Sequence, residues 1–214
     1  MKNVILIGDS IRLGYQPTVQ KELAGKTDVW GPEDNGGTSR NVLAHLKEWV
    51  IARRPEIVHL NCGLHDLRKE FGSTESEVPL DEYRANLEKI FRQIRDHTSA
   101  RIIWATTTPV NEGWHHENKP FDRFEADVLA YNRQAQEAAA QFGAEINDLF
   151  EVVARAGRDR YLLPDGVHFT AAGYTLLGQT VVSHIRKGEK NDIHDPAPAC
   201  AHCAEQRNAR PCAL

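Results

Sequence analysis

Apolar and polar positions alternate along this chain in a regular order. The run "NVILIG" (3–8) is continuously apolar, the pattern of a strand buried on both faces. It is followed by "PTVQKELAG" (17–25), which reads as a short amphipathic helix closed by Gly25. "TDVWG" (27–31) predicts a second strand, the polar stretch "PEDNGGTSR" (32–40) a loop, and "NVLAHLKEWVIARR" (41–54) a helix. "EIVHLNCG" (56–63) predicts a third strand, after which residues 64–79 form a long polar loop. In "LDEYRANLEKIFRQIRDH" (80–97), Leu80, Tyr83, Leu87, Ile90, Phe91 and Ile94 share one helical face. "RIIWATTTP" (101–109) predicts a fourth strand stopped by Pro109, and "VNEGWHHENKPF" (110–121) a second long loop. The Ala-rich "FEADVLAYNRQAQEAAAQFG" (124–143) is a helix and "AEIND" (144–148) a fifth strand. An irregular stretch then leads to "DGVHFTAAGYTLLGQTVVSHIRK" (165–187), a polar turn that opens a final helix.

Strand–helix alternation repeated five times predicts an α/β fold, a three-layer αβα sandwich around a mostly parallel five-stranded sheet. Right-handed crossovers place the carboxyl ends of all parallel strands on one edge. Ser10, Gly36, Gly37, residues 62–66, the 107–121 loop and the 165–168 turn are therefore expected as neighbours.

With 214 residues, the chain accommodates one domain (1–187) and a tail (188–214) whose Pro, Ala and charge content predicts a disordered or loosely docked segment. Lysines and arginines number 26 against 30 acidic residues, a balance that points to neither nucleic acid nor membrane as partner. Gly8 and Asp9 interrupt the first apolar run before it reaches the core length of a signal peptide, so a cytoplasmic location is expected. Cys62 stands apart from Cys200, Cys203 and Cys212, which gives the domain no disulfide framework.

The predicted sheet edge collects residues suited to acyl transfer. Ser10 fits two readings: a cap for the segment after it, or a nucleophile at the end of a strand, where open α/β sheets place ligands. A serine hydroxyl needs a positioned base. His168 suits that role, since imidazole exchanges protons near neutral pH, and Asp165 in the same short turn can orient its second ring nitrogen. Gly36 and Gly37 form a loop where backbone amides can approach a ligand, and "NCGLHD" sets Asn61, His65 and Asp66 just after the third strand. His65 can donate a ring N–H to a developing oxyanion or can simply hold its loop.

Gly8-Asp9-Ser10, the glycine after strand two, Gly63-Leu64-His65-Asp66 and Asp165-x-x-His168 occur in the order that resembles the SGNH (GDSL-type) hydrolases, over about residues 3 to 187. The resemblance implies a flavodoxin-like fold and a serine esterase with Ser10 as nucleophile, His168 as base and Asp165 as its orienter. It implies an oxyanion hole made by the Ser10 amide, the Gly36 amide (Gly37 as alternative) and a third donor. That donor is normally an asparagine; here the position holds His65, with Asn61 as alternative. No metal or organic cofactor is required by such a mechanism.

Substrate choice is expected at the rim. Arg12 is expected to lie over the site, and Trp114 offers a platform for a sugar ring, which favours O-acetyl groups on carbohydrate as the ester. Lysophospholipase or thioesterase chemistry, or a non-catalytic carbohydrate-binding protein on the same fold, are the alternatives. Glu112, His115 and His116 are expected in a solvated loop rather than on a metal, and Cys200, Cys203 and Cys212 are expected as free thiols rather than a zinc clamp.

Overall fold

A computed structural model describes residues 1–187; the expectations for the 188–214 tail and for Cys200, Cys203 and Cys212 lie outside the described residues. The described chain forms β1 (Lys2–Ile7), α1 (Ser10–Leu23), β2 (Thr27–Trp30), α2 (Ser39–Trp49), β3 (Ile57–Leu60), α3 (Leu80–His97) and β4 (Arg101–Ala105). It continues through α4 (Glu112–Asn118), α5 (Glu125–Gln141), β5 (Glu145–Asn147), α6 (Leu149–Ala156), α7 (Arg158–Tyr161) and α8 (Ala171–Lys187).

The five strands pair in parallel in the order β2-β1-β3-β4-β5. Successive elements wind outward from β1 in both directions, so the strand order reverses between β1 and β3. A crevice opens at the carboxyl ends of strands that flank such a reversal. The loops after β1 and β3 carry Ser10 and His65, which places both at this crevice. Helices α2, α3 and α5 pack side by side in one layer, and α1 and α8 in the other. Between them Val4, Ile5, Leu6 and Ile7 are fully buried, as a continuous apolar strand covered on both faces requires.

Several elements differ from the expected ones. Helix α1 starts at Ser10 itself, capped by Asp9, whose Oδ1 accepts the Ile11 amide at 2.9 Å. Gly14 and Pro17 hide this start by reading as breakers. Gly14 has a packing reason: a Cβ there would lie 2.1 Å from the Tyr174 ring on α8. The fourth strand ends at Ala105, not Pro109. Part of the expected 110–121 loop is helix α4, capped by the Asn111 side chain on the Trp114 amide at 3.1 Å. The stretch expected to be irregular contains α6 and α7, with Asp148 capping the first.

Candidate active site

Two turns create the centre of the site. The first is the tight exit from β1: the Asp9 cap bends the chain into α1 and sets Ser10 at its first position, where the amide has no partner within the helix. The second is the 163–168 turn before α8. There the Leu163 amide donates to the His168 carbonyl at 2.7 Å, and Gly166 adopts φ +71°. A side chain at Gly166 would sit 2.4 Å from the Asn111 carbonyl oxygen.

These turns bring residues 158 positions apart into contact: Ser10 Oγ lies 2.8 Å from His168 Nε2. His168 Nδ1 lies 2.5 Å from Asp165 Oδ2. A carboxylate only accepts, so Nδ1 carries the hydrogen and Nε2 turns its lone pair to the serine. Asp165 Oδ1 accepts the Val167 and His168 amides at 3.1 and 3.0 Å. Burial alone would raise the pKa of Asp165; the hydrogen bonds from the His168 ring and these two amides outweigh it and hold the carboxyl below its ordinary value.

Two residues not singled out for this role support the carboxylate. Lys119 Nζ lies 3.2 Å from Asp165 Oδ2. His115, expected in a solvated loop, is instead buried in α4 and donates Nδ1–H to the Asp165 backbone carbonyl at 3.0 Å. Only the "HH" pair marked this segment in the sequence, and it did not indicate which ring would turn inward.

A cavity of about 210 Å³ opens beside Ser10, lined among others by Asn35, His65, Phe121, Arg123 and His168. Among the described residues the His65 ring makes no hydrogen bond, and desolvation lowers its pKa, which keeps it a neutral donor at neutral pH. The expected glycine donors are otherwise engaged. Gly36 N–H donates to the Gly8 carbonyl at 3.0 Å, and Gly37 N–H to Asn35 Oδ1 at 2.9 Å. Asn35 itself lines the cleft, and its Nδ2 has no hydrogen-bond partner among the described residues. Asn61 is likewise committed, with Nδ2 donating to the Ala105 carbonyl at 2.7 Å and to Thr107 Oγ1 at 3.4 Å.

Both expected rim residues are corrected. Arg12 is 1% exposed, and its guanidinium donates to the Pro32 and Asp34 carbonyls at 2.8 Å each, bracing the loop that holds Asn35 instead of meeting a substrate. Trp114 packs against the core and does not line the cavity. The aromatic there is Phe121, whose ring has Arg68 and Arg123 at 4.2 and 4.9 Å from its centre. Cys62 is buried, its thiol pKa pushed up by burial, and takes no part in the cleft.

The sequence profile of the GDSL-like Lipase/Acylhydrolase family matches residues 6–176. The isoamyl acetate-hydrolyzing esterase 1 homolog of Bos taurus is 27% identical over 208 residues, covering 85% of this chain and 79% of its own. The acetylxylan esterase of Geobacillus stearothermophilus is 25% identical over 157 residues, covering 71% and 68%. Among solved structures, the lipase/acylhydrolase from Enterococcus faecalis superposes with a TM-score of 0.74 at 25% identity, covering 87% of this chain and 96% of that one. No described helix is long and apolar enough to cross a membrane.

Proposed function

This chain belongs to the GDSL-like Lipase/Acylhydrolase family and is a carboxylic ester hydrolase, and on that premise we propose that Ser10, His168 and Asp165 hydrolyse small acyl esters through an acyl-enzyme. The observation that carries the reading is the 2.8 Å contact between Ser10 Oγ and His168 Nε2. His168 takes the serine proton as Oγ attacks the carbonyl, Asp165 stabilises the imidazolium, and His168 then protonates the leaving alkoxide. Water repeats the cycle on the acyl-enzyme. The oxyanion meets the Ser10 amide at the start of α1 and the His65 ring N–H, with Asn35 Nδ2 in place of a glycine amide.

A cavity of about 210 Å³ favours a short acyl group over the long chain of a lysophospholipid. Acetyl esters fit this size, and the names of the bovine and Geobacillus relatives support them. Acetylated carbohydrate is carried as a second reading by the acetylxylan esterase relative alone, since Trp114 does not line the cleft.

The test is hydrolysis of p-nitrophenyl acetate, isoamyl acetate and acetylated xylooligosaccharide by wild type and Ser10→Ala. Turnover by the wild type that is abolished in Ser10→Ala supports the reading. A folded wild type no faster than Ser10→Ala on every ester overturns it in favour of a binding protein.

A further inference from the structure

The cleft beside Ser10 contains a cation that is paired with no carboxylate among the described residues. Arg123 is 6% exposed and lines the same cavity as Ser10, His65 and His168. Its Nε donates to the Leu64 carbonyl at 2.5 Å. Nη1 and Nη2 meet no acceptor among the described residues, and no carboxylate stands within ion-pair distance. Neither Nη is sealed in the interior, as the unpartnered Nε of Arg12 is, and the residue lines the cavity.

The neighbouring charges are engaged with other groups, except Asp9 Oδ2, which is buried without a hydrogen-bond partner and is not within ion-pair distance of Arg123. Lys119 Nζ sits on Asp165, Arg68 pairs with Glu70, and Asp9 Oδ1 accepts the Ile11 amide. Asp165 is shared between His168 and Lys119. Asp9 and Asp165 act on Arg123 only from a distance, and Arg68 repels it. Burial lowers the guanidinium pKa to about 10, which leaves it cationic at neutral pH.

A desolvated cation without a partner is unfavourable, and packing does not call for one here, because the bond to Leu64 uses Nε alone. Two parallel N–H groups on a planar guanidinium match the two oxygens of a carboxylate. We propose that Arg123 recognises a carboxylate in the cleft, so that the ester taken at Ser10 carries a free carboxylate in its acyl or its alcohol part. The inference rests on the esterase reading for the chemistry at Ser10; the anion subsite belongs to the cleft itself.

Calorimetric titration of the full chain with succinate and succinamide, which share one chain length while only succinate carries carboxylates, tests the subsite without turnover. Succinate is expected to bind wild type about tenfold or more tightly than succinamide. Arg123→Gln removes that difference and Arg123→Lys restores part of it. Equal affinities in wild type, or a difference that survives in folded Arg123→Gln, overturn the inference. Should Arg123→Gln fail to fold, Arg123→Lys decides: a reduced difference supports the proposal and an unchanged one overturns it.

Kinetics then locate the carboxylate. Monomethyl succinate against dimethyl succinate reads the acyl side, and O-acetyl lactate against its methyl ester reads the alcohol side. A preference for the charged ester in either pair, expressed as kcat/KM, supports the proposal. Hydrolysis of all these esters with no preference in either pair overturns it while the esterase reading stands. Arg123-dependent succinate binding with no ester hydrolysed supports the subsite and sinks the esterase reading instead.

Discussion

Lys119 Nζ and His168 Nδ1 converge on one oxygen, Asp165 Oδ2, at 3.2 and 2.5 Å. The lysine comes from the turn after α4, so a segment outside the Asp165-x-x-His168 motif helps fix the carboxylate. The two contacts differ in weight. Asp165→Asn loses the acceptor that sets the His168 tautomer, and kcat should fall ~10³–10⁴-fold. Lys119→Met removes only a partly exposed ion pair, and kcat should fall about two- to fivefold. Steady-state kinetics on p-nitrophenyl acetate compare them; equal losses would contradict the assignment.

The oxyanion donors make a separate prediction. His65→Ala should lower kcat ~10²–10³-fold with KM little changed, the expected loss for one donor that acts in the transition state. His65→Asn, which restores an N–H donor, should recover part of it. A His65→Ala enzyme with wild-type kcat and a raised KM would instead place the ring in ground-state binding.

Gly166 carries the base into position with φ +71°. Gly166→Ala combines an unfavourable backbone region with a Cβ 2.4 Å from the Asn111 carbonyl oxygen. The expected cost is about 1–2 kcal/mol or more in stability. The displaced His168 should also lower kcat, measured alongside urea unfolding. An alanine variant with wild-type stability and rate would show that the turn tolerates another conformation.

Two buried groups set opposing pH dependences of stability. Burial lowers the pKa of His59 from 6.5 to about 3, so the unfolded chain gains a proton that the folded one does not as pH falls between those values. Stability from this group is therefore lost on acidification. Burial raises the pKa of Asp66 from 3.8 to about 7, so the folded state keeps a proton that the unfolded one releases, and stability is lost as pH rises through that window. Asp66→Asn removes the second effect alone. Between pH 5 and pH 8 its stability relative to wild type should improve by roughly 3 kcal/mol, read as the slope of urea-unfolding free energies against pH. A parallel pair of curves would contradict the assignment.

Strands were the most legible part of the chain, because a strand buried on both faces is a continuous apolar run, as Val4–Ile7 is. The ends of elements were less so: α1 includes Gly14 and Pro17, and α4 has too short an apolar pattern to mark a helix. At the site, residues placed by a local turn could be read, since the Asp9 cap before Ser10 and the 165–168 spacing are written in adjacent positions. Residues placed by distant packing could not. Arg12 is drawn inward by carbonyls of Pro32 and Asp34. Gly36 is engaged by Gly8, and Arg123, which nothing in the sequence singled out, lines the cleft just after the 110–121 segment. Each depends on a contact between segments that sequence spacing does not encode.

Helices α1 and α8 pack tightly: a Cβ at Gly178 would lie 2.6 Å from Thr18, and Arg186 donates to the Glu22 carbonyl at 2.8 Å. The opening helix, with Ser10 at its first position, thus rests against the closing helix that comes after His168. Within the described domain the proposed nucleophile precedes its proposed base by 158 positions, so it is synthesised well before that base. A nascent or truncated chain lacking the 165–187 segment therefore exposes an ordinary, unreactive hydroxyl. On the triad proposed above, turnover begins only when the two ends of the domain have docked, which makes ester cleavage a reporter of completed folding rather than of the presence of the chain.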